Sequence, residues 1–339
     1  MTRLRLLSLF LILIVGCAGS KRSAGQVNLL AMGDWGNNGP KQHEMAKVLA
    51  DYAEQERPPI DAMLLAGDNF YIKLTGIDDP RWEEAFERMY DPKRLDFPFY
   101  ATFGNHDYSN KLIEMELAYA QARPESRWKM PGRWYRLDLP VKKPIVTILM
   151  LDSNRPLMGE QLWNDQLAWM RSELSKPRST SWLMCVAHHP LFSNGDHGDN
   201  GVLQKEWGPI FQEFKVDFYI AGHDHDIQHL SIPGYATEFV MVGGGGATTR
   251  PMRVDNRGPF SSAINGFANL KLDERRATVR LVDPRGGVLH EFEVDRSGRS
   301  RILRTMPSDR AVPRTAKTIT RGGEENATTQ ATIAPTTSP

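Results

Sequence analysis

Seven short, nearly unbroken apolar runs punctuate the chain: Val27–Met32, Ala62–Ala66, Phe99–Phe103, Ile145–Leu151, Trp182–Ala187, Val216–Ala221 and Phe239–Val242. Runs this short and this apolar suit strands buried on both faces. Between them, Lys41–Gln55, Pro80–Tyr90 and Glu160–Leu174 read as helices. In the last, Leu162, Gln166, Trp169 and Leu174 fall near helical spacing, and Leu167 and Met170 widen the stripe. Strand–helix alternation predicts an α/β fold. Later the pattern changes: Phe267–Leu272, Ala277–Val282 and Val288–Val294 alternate more strictly, with a turn signal at Asp283–Gly287. These predict a small antiparallel meander. No internal repeat is visible.

The two ends are of another kind. Arg3 and Arg5 precede Leu6–Val15, a run apolar except for Ser8. At about ten residues it is too short to span a bilayer and suits a signal-peptide core. It leads into Ile14-Val15-Gly16-Cys17, which resembles a bacterial lipobox. That resemblance implies cleavage before Cys17, lipid on its thiol, and an exported protein tethered to a membrane surface, facing the periplasm or the exterior. The alternative is an ordinary signal peptide cut a few residues later, giving a soluble secreted or periplasmic protein. Residues 1–16 are then the signal peptide, 17–25 a flexible tether and 26–304 the folded domain. Residues 305–339, rich in Thr, Pro and Ala, form a tail too poor in apolar residues to offset its ordering entropy.

Composition removes several classes. The 339 residues carry 42 Lys+Arg against 41 Asp+Glu, and this neutrality argues against a general nucleic-acid binder. Two cysteines, Cys17 and Cys185, exclude a disulfide scaffold. Cys185 lies within an apolar run and reads as a buried free thiol.

Chemistry gathers where the runs end. They deliver Gly33-Asp34, Gly67-Asp68-Asn69-Phe70-Tyr71, Gly104-Asn105-His106-Asp107, His188-His189-Pro190 and Gly222-His223-Asp224-His225. In open α/β sheets ligands bind past the carboxyl ends of the strands. A Gly-Asp pair alone is often a turn or a cap, but five such endings point to one site. Oxygen and imidazole donors of this kind suit iron, manganese or zinc. Asp34, Asp68, Tyr71, Asn105, His188, His223 and His225 are too many for one open catalytic ion. They suffice for two if a carboxylate bridges, and paired ions about 3.5–4 Å apart serve phosphoryl transfer.

The order Gly-Asp, Gly-Asp-x-x-Tyr, Gly-Asn-His-Asp, His-x-Pro, Gly-His-x-His resembles that of calcineurin-like metallophosphoesterases. Gly67–Tyr71 narrows the likeness to purple acid phosphatases, and the small tartrate-resistant (type 5) branch fits best over roughly residues 26–296. The resemblance implies two packed, mostly mixed β-sheets flanked by helices in a four-layer αββα sandwich. It implies an Fe(III) site at Asp34, Tyr71 and His225, and a divalent Fe(II), Zn(II) or Mn(II) site at Asn105, His188 and His223, with Asp68 bridging. A phenol of pKa about 10 is ligated as phenolate only by a strongly Lewis-acidic ion, so Tyr71 argues for Fe(III) and a violet colour.

His106 and His197 resemble the family's outer histidines, which implies phosphate orientation and proton donation to the leaving group. Asp107 is expected to orient a neighbour, His189 to wall the pocket, and His43, His229 and His290 to lie on the surface or in packing. Gly243–Gly246 lacks a P-loop lysine and reads as a turn bringing backbone to the metal rim. The expected activity is acid hydrolysis of small phosphomonoesters, nucleotides and phosphoproteins among them, by a monomer with a metal-bound hydroxide as nucleophile. A phosphodiesterase or nucleotidase of the same superfamily is the runner-up. A non-catalytic phosphate- or iron-binding surface lipoprotein is the reading from a different class.

Overall fold

Trp182, Met184 and Val186 face one apolar cluster, while Leu183, Cys185 and Ala187 between them face another. This two-sided burial is why the run carries no polar alternation. The structure, a computed structural model, describes residues 25–253 and 257–306. The expected signal peptide, Cys17, nearly all of the tether and the tail beyond Met306 lie outside the described residues.

The chain first lays down β1 (Gln26–Met32), β2 (Ala62–Leu65), β3 (Phe99–Ala101) and β4 (Trp128–Lys129), all parallel. It then builds a second sheet from β5 (Tyr135–Leu139), β6 (Val146–Met150), β7 (Trp182–Val186), β8 (Phe218–Ala221), β9 (Ile227–Ser231), β10 (Glu238–Val242) and β11 (Phe260–Ser262). It returns to the first sheet with β12 (Phe267–Asp273), β13 (Arg276–Val282), β14 (Val288–Asp295) and β15 (Ser300–Thr305). The sheet orders are β15-β14-β13-β12-β1-β2-β3-β4 and β11-β9-β10-β8-β7-β6-β5. Both are mixed: β12 pairs antiparallel with β1, whereas β6, β7, β8 and β10 run parallel.

Helices α1 (Pro40–Gln55), α2 (Asn105–Ser109), α3 (Ile113–Ala122), α4 (Arg155–Met158), α5 (Glu160–Leu174), α6 (Gly201–Glu206) and α7 (Gly208–Phe214) link the strands. Proline opens α1, where its missing N–H is harmless, and Met45, Leu49 and Ala53 turn its apolar face inward. Helix α5 buries Trp163, Gln166 and Met170. The expected stripe omitted Trp163, whose ring stacks on Trp207 at 5.4 Å and 5°. Leu162, Leu167, Trp169 and Leu174 pack beside this line, only partly buried. The sheets flanked by helices match the expected sandwich. The meander gains a fourth strand, and Thr305, read as the start of the tail, is the last residue of β15. Pro80–Tyr90 forms not a plain α-helix but a π turn at Glu83–Glu87, with the Arg88 N–H donating to Glu83 O at 2.9 Å. No helix among the described residues is long and apolar enough to cross a membrane.

Candidate metal centre

The carboxyl ends of β1, β2, β3, β7 and β8 converge where the two sheets meet. The Gly33 N–H donates to Val242 O at 2.7 Å, and the Asp34 N–H to Gly67 O at 3.0 Å. Asp34, Asp68 and His223 have φ of 59°, 49° and 71°. Each L-residue held there costs roughly 1–2 kcal/mol. Hydrogen bonds hold two of these turns: the His223 N–H donates to Asp34 Oδ2 and the His106 N–H to Asp68 Oδ1, both at 2.8 Å. Glycine is required beside the carboxylates. A Cβ on Gly104 would stand 2.1 Å from Asp68 Oδ1, and one on Gly222 would stand 2.4 Å from Asp34 Oδ2.

One donor group forms around the Tyr71 hydroxyl, 3.2 Å from Asp34 Oδ1, 3.1 Å from Asp68 Oδ2 and 3.2 Å from His225 Nε2. A second forms around His188 Nε2, 3.0 Å from Asn105 Oδ1, 3.1 Å from His223 Nδ1 and 3.5 Å from Asp68 Oδ1. Asp68 lies between them, one oxygen toward each. The tautomers follow from the backbone. His188 Nδ1 faces Ala66 O at 3.0 Å and His225 Nδ1 faces Thr248 O at 2.7 Å. A carbonyl only accepts, so both Nδ1 atoms carry the proton and both Nε2 atoms turn a lone pair inward.

Electrostatics reinforce this picture. Burial raises the carboxyls of Asp34 and Asp68 above their ordinary range, and the charge of Asp68 raises Asp34 further. Burial pushes the His188 imidazole down to about 3, and His223 well below its ordinary value. The Tyr71 phenol is raised by burial and by both aspartates. Among the described residues, the ion-pair partners of Asp34 and Asp68 are histidines alone. Around these buried carboxylates the lone pairs outnumber the protons, the Tyr71 hydroxyl having one proton for three acceptors, and such a donor set fits bound cations.

Around this centre, the His106 ring lies 4.4 Å from that of Tyr71, centroid to centroid. The His197 ring lies 4.0 Å from that of His223, with its side chain 39% exposed. Asp107 accepts from the N–H groups of Asn69 and Gly104 at 3.0 and 2.7 Å, so it orients backbone. His189 borders the second group, its ring 4.4 Å from that of His223 and its Nδ1 2.9 Å from Ser153 Oγ. Its ring nitrogen also falls within 4.8 Å of ligand atoms on His188 and His223. Gly243 brings backbone to the rim, since a Cβ there would meet Asp34 Oδ2 at 2.9 Å. His43 is exposed, whereas His229 and His290 are wholly buried.

Two residues escaped the reading from sequence. Asp224 accepts from both the backbone N–H and Nδ1 of His197 at 2.9 Å. Arg250 Nη1 stands 3.3 Å from His197 Nδ1 and from His223 O. Asp224 could have been suspected as the variable residue of His-x-His; Arg250 carried no local signal.

The family model described as calcineurin-like phosphoesterase matches residues 27–226. Purple acid phosphatase 7 of Arabidopsis thaliana is 29% identical over 304 residues, 81% of this chain and 88% of the relative. Human tartrate-resistant acid phosphatase type 5 is 26% identical over 304 residues, 80% of this chain and 92% of its own. Among solved structures, GAP50, the anchor in the inner membrane complex of Plasmodium, aligns with a TM-score of 0.71 at 21% identity, covering 83% and 90% of the two chains. The yellow lupin purple acid phosphatase PPD1 aligns at 0.63 and 17%, covering 80% of this chain and 54% of its own. At these identities the two structures speak for the fold alone.

Proposed function

Because the chain belongs to the calcineurin-like phosphoesterase family, a family of metal-dependent hydrolases of phosphoesters, we propose that it is a phosphomonoesterase of the purple acid phosphatase type. The observation that carries this reading is Asp68, whose two oxygens face different donor groups. In the proposal Asp34, Tyr71 and His225 hold Fe(III); Asn105, His188 and His223 hold Fe(II), Zn(II) or Mn(II); Asp68 bridges. Bound there, such a pair would lower the pKa of water and neutralise phosphate oxygens. The chain's own residues do the rest. His106 and His197 orient the phosphate and donate a proton to the departing oxygen, Asp224 holds His197 Nδ1, and His189 and Pro190 wall the adjoining cavity.

The test is metal analysis of the purified protein together with turnover of p-nitrophenyl phosphate and bis-p-nitrophenyl phosphate. The expected result is two metals per chain, one of them iron, a visible phenolate-to-iron band, and faster cleavage of the monoester. Faster cleavage of the diester would replace this reading with a phosphodiesterase. A metal-replete protein without turnover would replace it with a binding protein. We also propose that the chain is exported and lipidated on Cys17. Palmitate should label the wild type, and label persisting in a Cys17→Ala variant would refute the anchor.

A further inference from the structure

The end of the sandwich opposite the metal centre carries chemistry that the reaction does not use. β1 begins there, and β12, antiparallel to it, ends there with Asp273 opposite Gln26. The Trp182 indole at the start of β7 donates to Asp273 O at 2.6 Å, so strands of both sheets start at this end. A cavity of about 510 Å³ opens here, lined by Lys143, Ser179, Ser181, Glu274 and Arg275 and by the Pro144-Ile145 pair.

Lys143 and Arg275 are exposed, as is Lys142 beside them, and among the described residues none of the three forms an ion pair with a carboxylate. Arg296, over the Trp182 ring at 4.9 Å, adds a fourth exposed cation to this end. The acids nearby are mostly committed: Asp217 to Arg178, Glu173 to Arg136 and Lys176, and Asp295 to Arg299. Asp273 accepts the N–H groups of Arg275 and Arg276 at 2.7 and 2.8 Å. Glu274 is the one carboxylate in the lining, set against two cations there and Lys142 next to them. An ammonium, a guanidinium and two serine hydroxyls form a donor set for phosphate oxygens.

Two further observations say what such a phosphate is attached to. The first is where the chain enters the fold. Gly25 lies beside this cavity, since a Cβ on it would stand 3.7 Å from Glu274 Oε1. It stands eight positions after Cys17, a reach of at most about 30 Å. A lipid on Cys17 would keep this end of the molecule within that distance of a bilayer. The second is the tip of the β5–β6 hairpin. Val141 is 84% exposed and is followed by Lys142 and Lys143. An apolar tip among lysines suits the boundary between headgroups and acyl chains.

We propose that this end is a membrane-docking face. The cavity takes the phosphate of an anionic lipid headgroup on Lys143 and Arg275, Val141 enters the interface beside it, and the metal centre opens away from the bilayer. This deepens the anchoring on Cys17 proposed above and rests on it for the nearness of the bilayer. Each cation at an anionic surface contributes roughly fivefold to binding at low salt.

The test uses the chain from residue 17 onward with Cys17→Ser, so that no acyl chain contributes. Its sedimentation with phosphatidylcholine vesicles is compared with that on vesicles also holding phosphatidylglycerol. Binding should require the anionic lipid and should weaken as salt rises from about 0.05 to about 0.5 M. K142Q/K143Q/R275Q should bind roughly 10²-fold more weakly while keeping its turnover of p-nitrophenyl phosphate, and V141D should bind several-fold more weakly. Equal binding to both vesicles, binding to neither, or a triple variant that binds like the wild type would overturn the docking face. Tighter binding of soluble glycerol phosphate than of the vesicles would assign the cavity to a free phosphate compound and overturn it as well. Palmitate labelling of Cys17 is read on the lipidated protein, so failure of the face and failure of the anchor are distinguishable.

Discussion

Two buried clusters of histidine and carboxylate stand in this molecule, and they are built on opposite rules. Toward the β15 and β11 edges of the two sheets, Thr305 on β15 meets His290 Nδ1 at 2.8 Å, His290 Nε2 meets His229 Nδ1 at 2.9 Å, and His229 Nε2 meets Glu238 at 2.9 Å. Read as a chain of donors, each proton finds a lone pair: hydroxyl to imidazole, imidazole to imidazole, imidazole to carboxylate. The stack of His229 on Phe292 at 3.5 Å and 9° closes it. This cluster ties β9 and β10 of one sheet to β14 and β15 of the other and asks for nothing more. At the strand ends the reverse holds. The protons of His188 and His225 are spent outward on carbonyls; inside, the His188 lone pair faces the Asn105 carbonyl oxygen, and the one hydroxyl proton of Tyr71 is all that Asp34 Oδ1, Asp68 Oδ2 and the His225 lone pair have to share. Burial and residue type are alike in both places. Proton complementarity separates a structural polar cluster from a site built for cations.

The sharpest way to break this contrast is Asp68→Ala. It should remove the shared carboxylate, reduce metal content below two per chain and lower turnover by roughly 10³-fold or more; a variant retaining both metals and activity would refute the bridge. Removing the metals with a chelator should come next. Melting followed by calorimetry should show a loss of about 4 kcal/mol for each ion bound at a thousand-fold excess over its dissociation constant. A His290→Gln protein should show the same loss, because its cluster lies outside the centre.

His106→Ala should slow phenyl phosphate about 10²-fold but p-nitrophenyl phosphate much less, since a good leaving group needs little protonation. Equal slowing of the two would remove its acid role.

The effect confined to acid pH belongs to the closed cluster. Burial, then the neighbouring His229, holds the His290 imidazole down at about 3, below its ordinary value near 6.5. The unfolded chain therefore binds this proton more readily than the folded one. The stability involved is complete above about pH 6.5 and declines as pH falls toward 3, at up to about 1.4 kcal/mol per pH unit. Burial alone would raise the Glu238 carboxyl, yet bonds from His229 and Ser231 hold it below its ordinary range, so its contribution also fades on acidification. His290→Gln should flatten this acid limb of the stability curve while leaving metal content and kcat in place. An unchanged limb would mean that the cluster does not govern acid stability.

Much of the fold could be read before any coordinates. Unbroken runs such as Trp182–Ala187 predict strands covered on both faces, and the two apolar clusters on either side of β7 are the reason. Short elements were harder. The strand Trp128–Lys129 and the one-turn helix Arg155–Met158 are too brief for any period to register. Trp163 was overlooked because neighbouring leucines offered an equally regular stripe.

By itself the sequence determined the α/β alternation and the inventory of donors at the strand ends, because burial demands apolar continuity and sharp turns demand glycine within a few residues of one another. Those are local requirements, written locally. Only the tertiary structure decided which way each imidazole turns, which oxygen of Asp68 serves which group, and that Arg250 meets His197 across 53 residues of chain. Such facts depend on distances through space, which the folded backbone alone sets.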